Sequence, residues 1–249
     1  MITTKPIYFG SDFHLGTPNQ AASLEREKRI VAWLDEVLEK GSELFLLGDV
    51  FDFWFEYKKA IPKGYVRLLG KLAEIADKGI PVHFFTGNHD MWTFGYLEQE
   101  IGLTLYRAPI TIERQGKTLH IGHGDGLGPG DRSYKFLKNF FDSKLCQWMF
   151  ARLHPNFAFG MAEWFSKGSR TSSQEEDKKF LGEKEWLAIY CKDFLETQAV
   201  DYFIFGHRHL PIEMELTKNS KYINIGEWLN YNSYGIMENG KLELKYFSA

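Results

Sequence analysis

Short apolar segments alternate with segments of helical periodicity along the first hundred residues. The apolar runs cover residues 6–11, 44–47 and 80–86, and helical periodicity covers about 20–39 and 63–78. This alternation predicts strand, helix, strand, helix, strand, the order of a parallel sheet with right-handed crossovers. In such sheets, binding sites form in the loops where the strands end.

The second predicted helix has one apolar face, which we expect to point inward. Its members are Val66, Leu69, Leu72, Ala73 and Ile75. Their spacing follows the helical period, as in a surface helix that packs on a core.

The pattern changes after residue 102. Short strands are predicted over 103–106, 109–114 and 117–122, then over 202–205, 211–217, 221–225, 232–237 and 241–246. Gln115-Gly116 and Asn239-Gly240 are expected hairpin turns. Between these groups, residues 131–198 have a helical pattern. We therefore predict an α/β fold of two packed mixed β-sheets flanked by helices: a single domain over 1–249 with a helical lid inserted at 131–198.

Composition narrows the class of protein. The 249 residues carry a formal net charge of −3, and 44% are hydrophobic, which suits one large globular domain. A dedicated nucleic-acid binder would be strongly basic. Cys146 and Cys191 lack zinc-site spacing, so we expect reduced thiols in a cytoplasmic protein. No apolar window reaches the roughly 18–20 residues of a membrane span, so membrane contact would be peripheral.

Ligand-type side chains follow five of the predicted strands. They are Asp12 and His14, Asp49, Asn88 with His89, His123, and His207 with His209. Each motif alone is common in caps and turns, but five together indicate one site. A buried carboxylate such as Asp49 requires cations or several donors around it. Carboxylate, amide and imidazole groups without thiolates suit manganese, iron or zinc.

We predict that Asp49 bridges two divalent metal ions, with Mn2+ as the expected metal. Two such ions roughly 3.5–4 Å apart can activate a water molecule and bind phosphate oxygens. His89, beside Asn88, is expected to neutralise charge on the leaving oxygen. Asp90 is expected to orient His89 as a supporting partner.

These motifs resemble those of the calcineurin-like metallophosphoesterases. The matching stretches are Asp12-Phe13-His14, Gly48-Asp49, Gly87-Asn88-His89-Asp90, Gly122-His123-Gly124-Asp125 and Gly206-His207-Arg208-His209. The resemblance implies that Asp12, His14, Asp49 and His209 hold one metal ion. It also implies that Asp49, Asn88, His123 and His207 hold the other.

Aromatic and basic side chains alternate between about residues 131 and 170. The rings include Tyr134, Phe136, Phe140, Phe141, Trp148, Phe150, Phe157, Phe159, Trp164 and Phe165. One interpretation is a helical subdomain with its own small core and ordinary solvated lysines. The other is a lid with an apolar groove and a basic rim, suited to an amphiphile that carries phosphate.

Within the superfamily, this segment resembles the UDP-2,3-diacylglucosamine diphosphatase family of lipid A biosynthesis. The cues are His123-Gly124-Asp125-Gly126-Leu127, Gly130-Asp131-Arg132-Ser133-Tyr134 and Ser169-Arg170-Thr171-Ser172-Ser173. The resemblance implies hydrolysis of a UDP-sugar lipid to UMP and an acylated sugar 1-phosphate. Tyr134 and Arg170 would contact the lipid sugar. The enzyme would lie at the cytoplasmic face of the inner membrane, with neither a nucleic acid nor an obligate protein partner.

One position departs from that narrower family. His89 stands where its best-known enzymes have arginine, which leaves a different substrate open. The alternatives are a phosphoesterase for a soluble nucleotide or phosphodiester, and a scaffold without catalysis. A scaffold would be expected to have lost ligands, and none is missing from the five motifs.

Overall fold

The computed structural model describes residues 5–129, 132–162 and 179–248. The strands are β1 Ile7–Gly10, β2 Glu43–Leu46, β3 Val82–Phe85, β4 Thr104–Tyr106, β5 Ile110–Arg114, β6 Lys117–Ile121, β7 Tyr202–Phe205, β8 Pro211–Thr217, β9 Ser220–Ile225, β10 Ser233–Glu238 and β11 Lys241–Tyr246. The helices are α1 Gln20–Lys40, α2 Val66–Asp77, α3 Tyr96–Ile101, α4 Arg132–Asp142, α5 Lys144–Phe150, α6 (155–162) and α7 Trp186–Leu195, with a 3-10 turn at Gly182–Lys184.

The strands form two mixed sheets. The first has the order β11-β10-β1-β2-β3-β4, and the second has the order β5-β6-β7-β9-β8. Strands β1 to β4 are parallel, as are β6, β7 and β9, while antiparallel strands complete both sheets. The predicted α/β fold of two mixed sheets flanked by helices is confirmed. Both predicted hairpin turns have positive φ at their two central residues, as a type I′ turn requires.

Three apolar layers hold the sheets and helices together. Phe9, Phe45 and Phe85 belong to the cluster between the two sheets. A second cluster, which includes Trp33, joins helices α1 and α2 to the outer face of the first sheet. A third joins α7 to the outer face of the second sheet. The parallel strands are covered on both faces, which explains why they appear in the sequence as continuous apolar runs.

Two details differ from the sequence prediction. Val66 is 73% exposed, and Leu68 is buried in its place. Residues two apart on a helix point about 200° apart, so a face built on Leu68, Leu72 and Ile75 turns Val66 toward solvent. Helix α3 was not predicted, since a six-residue helix is too short to show periodicity.

Helices α4, α5 and α6 lie in the predicted lid segment and pack beside the loop that follows β2. Phe141 and Phe150 join Phe55 and Trp92 in a separate apolar cluster there. The assignment of 131–198 as a lid remains a prediction. In the described part of the chain, every helix is too short or too polar to cross a bilayer.

Candidate metal centre

The carboxyl ends of five strands meet at one edge of the sandwich. Each predicted metal ligand follows its strand within four residues: Asp12 and His14 after β1, Asp49 after β2, Asn88 after β3, His123 after β6, and His207 and His209 after β7. Parallel strands place their carboxyl ends on the same edge, so distant segments of the chain supply one site.

The ligand loops hold unusual backbone conformations. Asp12, His14, Asp49, His207 and His209 all have φ between 44° and 67°. Among the described non-glycine residues, nine have positive φ, and these five are more than half of them. Such conformations are uncommon and cluster at functional sites.

Main-chain hydrogen bonds continue the β1–β2 ladder into these loops. The amide of Asp12 donates to the carbonyl of Gly48 at 3.0 Å, and that of His14 donates to the carbonyl of Asp49 at 2.9 Å. Gly87 is closely packed against the same strand end. A Cβ at Gly87 would lie 2.6 Å from the amide nitrogen of Asp49 and would also meet its carboxylate.

The first ligand cluster contains Asp12, His14, Asp49 and His209. The Nε2 atoms of His14 and His209 are 3.0 Å apart, and Asp12 Oδ1 lies 3.2 Å from the Nε2 of His209. Asp12 Oδ1 is buried and has no hydrogen-bond partner among the described residues. An orphaned buried carboxylate oxygen facing two imidazole nitrogens fits a cation between them.

The second cluster contains Asp49, His123 and His207, with Asn88 beside them. The Nε2 of His123 lies 3.4 Å from Asp49 Oδ2 and 3.3 Å from Asn88 Oδ1. Its Nδ1 donates to the carbonyl of Leu47 at 2.7 Å, which leaves Nε2 as the ligand nitrogen. Asp49 belongs to both clusters, as a bridging ligand would.

Electrostatics at the site favour bound cations. Burial alone would lower the pKa of His14, but Asp12 and Asp52 raise it to about 10. Burial alone would also lower the pKa of His123, but Asp49 raises it to about 10. Burial would raise the pKa of Asp49, yet the surrounding histidines lower it. The carboxylates therefore attract positive charge strongly, and divalent ions would supply it. Oxygen and imidazole donors without thiolates fit two such ions.

His89 is oriented differently from the sequence prediction. Its Nδ1 lies 2.9 Å from the carbonyl oxygen of Asp52, to which it donates. Asp90 instead accepts from the amides of Gly87 at 2.7 Å and Val50 at 2.8 Å. The expectation that Asp90 orients His89 is therefore wrong, because the Asp90 carboxylate is occupied in fixing the loop backbone. The backbone carbonyl of Asp52, which was not predicted as a site residue, orients His89 instead.

Comparison with known proteins identifies the family. The calcineurin-like phosphoesterase family matches residues 5–211. The chain belongs to the calcineurin-like phosphoesterases. This phosphoesterase is 37% identical over 254 residues, 96% of each chain, to UDP-2,3-diacylglucosamine hydrolase of Porphyromonas gingivalis. It is 25% identical over 236 residues, 95% of each chain, to the protein of that name from Shewanella halifaxensis. The Yfce phosphoesterase of E. coli matches with a TM-score of 0.46 and 17% identity, over 95% of this chain and 90% of that one.

Two buried contacts support the ligand loops of the phosphoesterase and were not predicted. Arg26 donates to the carbonyls of Phe13 at 2.7 Å and His14 at 2.5 Å. Arg208, between two ligand histidines, forms a buried ion pair with Glu185 at 2.5 Å. The sequence does not single out either arginine, because Arg26 lies within the charged run at 25–29 and Arg208 lies between two histidines.

A cavity of about 560 Å³ opens beside the metal centre of the phosphoesterase. Asp52, Asn88 and His89 form its inner end. Its apolar lining comes partly from the loops after β2 and β3, with Phe53, Trp54, Met91 and Trp92. The rest comes from the segment of α4 to α6, with Leu137, Phe141, Cys146, Met149, Phe150, Leu153 and Met161. Lys138 also lines it and pairs with Asp125 at 2.6 Å, which joins helix α4 to the loop after β6.

The aromatic residues of the predicted lid do not all line this cavity. Phe141 and Phe150 line it, whereas Phe140 is 48% exposed and Trp148 is 56% exposed. Tyr134 lies in helix α4 with its side chain outside the described part, and Arg170 lies outside the described residues. Their contacts with a lipid sugar remain predictions.

Proposed function

We propose that this phosphoesterase hydrolyses the pyrophosphate of UDP-2,3-diacylglucosamine to UMP and 2,3-diacylglucosamine 1-phosphate. The oxygen of water bonds to the uridine-side phosphorus, and the bond from that phosphorus to the bridging oxygen breaks. The main support for the proposal is that the cluster of candidate metal ligands lies beside a largely apolar cavity. The name of the P. gingivalis relative, which is similar over 96% of each chain, agrees with it.

Asp12, His14, Asp49 and His209 would hold one ion, and Asp49, Asn88, His123 and His207 would hold the other. Mn2+ is the expected metal, since oxygen and imidazole ligands suit it. Such ions supply Lewis-acid activation of water and neutralise charge on phosphate oxygens.

His89 is the proposed catalytic group for the leaving oxygen. It lines the inner end of the cavity next to Asn88. The Asp52 carbonyl holds its Nδ1, so Nε2 is the nitrogen available to substrate. Burial lowers the pKa of His89, and we expect the negative charge of a bound pyrophosphate to restore the proton that an acid needs.

The cavity would take acyl chains. Its volume falls within the range of ligand pockets, and its outer wall is apolar. Each methylene group moved from water into such a wall stabilises the complex by about 0.8 kcal/mol. Tyr134 and Arg170 would contact the sugar and its phosphate. Because the substrate is an amphiphile, the enzyme is expected to act at the cytoplasmic face of the inner membrane.

UMP release tests the proposed reaction. Purified protein with Mn2+ should release UMP from UDP-2,3-diacylglucosamine, and a chelator should stop the reaction. A panel of soluble nucleotides and phosphodiesters, assayed in parallel, should be hydrolysed much more slowly. Faster turnover of a soluble nucleotide would instead support the alternative substrate class.

Metal content tests the proposed centre. The protein should bind close to two divalent ions, measured by mass spectrometry of the metals after dialysis. Asp49→Ala should weaken both sites, because this carboxylate belongs to both ligand clusters. His209→Ala should weaken mainly one. A single tightly bound ion in the parent protein would contradict a dinuclear centre.

A further inference from the structure

A second groove lies on the other side of helix α5 from the catalytic cavity. Its volume is about 900 Å³. Cys146, Met149 and Phe150 of α5 line the cavity, whereas Lys144, Gln147 and Trp148 line the groove. The opposite wall includes Lys58, Lys59 and Phe94. One helix therefore separates a catalytic cavity from a surface that has no place in the proposed reaction.

The groove is cationic, although the whole chain has a net charge of −3. Lys58, Lys59, Lys144 and Arg152 line it, and within residues 5–129, 132–162 and 179–248 none of them has a carboxylate partner within 4.0 Å. Glu56, the acidic residue in the lining, is only 8% exposed. Its carboxylate accepts from the indole of Trp54 at 3.1 Å and from the amide of Tyr96 at 3.1 Å. Internal donors thus hold Glu56, and the four cations face solvent.

Large aromatic side chains stand among these cations. Trp148 is 56% exposed and Phe94 is 45% exposed. The guanidinium of Arg152 lies 4.9 Å from the centre of the Trp148 ring. Exposed rings beside unpaired lysines are typical of surfaces that lie in a lipid headgroup layer, where the ring meets acyl carbon and the cations meet phosphate.

We propose that this groove docks the protein on an anionic phospholipid bilayer. The lysines would contact lipid phosphates, and Trp148 and Phe94 would enter the headgroup layer. The charge of the groove complements such a bilayer, and the other face of α5 already lines the cavity for an amphiphile. Docking would bring the cavity to the surface from which that substrate arrives. This last benefit rests on the proposed function, whereas the docking itself can be measured without hydrolysis.

Vesicle sedimentation tests the docking surface. The full chain should bind vesicles of phosphatidylcholine mixed with phosphatidylglycerol, bind phosphatidylcholine alone poorly, and dissociate as salt rises. Lys58→Ala together with Lys59→Ala should weaken binding roughly 30-fold, since each cation near an anionic surface contributes about five-fold. Lys218→Ala with Lys245→Ala is the matched control, since it removes the same charge from the β8–β9 turn and from β11. The control should bind like the parent, and all variants should keep the melting temperature of the parent.

Two outcomes would overturn the proposal. Equal binding of both double variants to anionic vesicles would show that net charge alone attracts the protein. Capture of a polyglutamate peptide at Lys58 and Lys59 without vesicle binding would assign the groove to an acidic protein partner. UMP release from detergent-dispersed substrate should be unchanged in the Lys58/Lys59 variant. If the parent binds vesicles but releases no UMP, the proposed function fails and the docking surface stands.

Discussion

Several residues of the candidate metal centre have backbone conformations that are uncommon for residues other than glycine. Each non-glycine residue in the left-handed region costs of order 1–3 kcal/mol. Five of the proposed ligands have such a conformation. Arg26 compensates in part, because it bonds to the carbonyls of Phe13, His14 and Thr17 within one ligand loop. Arg26 therefore helps to hold the loop that carries Asp12 and His14 in this conformation.

Gly87→Ala should weaken metal binding without unfolding the protein. The added Cβ would displace the Asp49 carboxylate that belongs to both ligand clusters. Changes beside a metal ligand typically weaken affinity by roughly 10–100-fold, and competition with a chelator would measure the loss. Gly70→Ala in α2 is the control, since a Cβ there meets nothing within 4 Å. It should leave metal affinity unchanged. Parental affinity in Gly87→Ala would show that the close approach is not needed.

His89→Ala should slow hydrolysis according to the leaving group. If His89 neutralises the leaving oxygen, the loss with the UDP-sugar should be roughly 10²–10⁴-fold, the usual range for acid catalysis. The rate with a nitrophenyl phosphodiester should fall much less, because its leaving group needs little acid catalysis. The metal content of the variant should match that of the parent. An equal loss on both substrates would assign His89 to phosphate positioning.

His120 joins strand β6 to helix α7. It is 4% exposed, and its ring nitrogens lie 2.8 Å from Thr111 Oγ1 and 3.0 Å from the Tyr190 hydroxyl. Burial lowers its pKa to about 4. An unfolded chain, with a histidine pKa of about 6.5, takes up this proton first. The contribution of His120 to stability is therefore complete above about pH 6.5 and is lost as pH falls toward 4.

Urea unfolding of the parent and of His120→Gln would measure this loss. Between about pH 7 and about pH 4, the free energy of unfolding should fall by about 3 kcal/mol more in the parent than in the variant, because the glutamine amide does not titrate. His154→Gln, at an exposed position, is the control and should keep the parental profile. Identical pH profiles for the parent and His120→Gln would contradict the assigned protonation.

Elements and ligands differed in how far the sequence could predict them. Buried parallel strands appear as apolar runs, and their carboxyl ends share an edge, so the meeting of the predicted ligand residues could be expected without knowledge of side-chain packing. The partners of His89 and Arg208 could not be predicted in this way. Asp52 lies 37 residues from His89, and Glu185 lies 23 residues from Arg208. Such pairs depend on how loops and helices pack against one another, and the hydrophobic periodicity of the sequence does not predict that packing.

The proposed metal ligands and most of the cavity wall come from different parts of the chain. The proposed metal ligands follow sheet strands, while the apolar cavity wall comes largely from α4, α5 and α6. Lys138 and Asp125 join the two parts at 2.6 Å. A change in the cavity wall should therefore alter which substrate binds and leave the chemical step intact.

Cys146→Phe tests that separation. Cys146 lines the cavity from α5 and is 8% exposed, so a phenyl ring there would occupy space proposed for an acyl chain. Each methylene group that is excluded should lower kcat/KM roughly four-fold, since its burial is worth about 0.8 kcal/mol. The loss should grow with acyl length and be absent for a small nitrophenyl phosphodiester.

Leu145→Phe is the matched control, because the neighbouring side chain is 66% exposed and does not line the cavity. Circular dichroism and melting would show that both variants fold. A folded Cys146→Phe protein that hydrolyses long-chain and short-chain substrates like the parent would mean that the acyl chains bind elsewhere, and a soluble nucleotide would become the better candidate.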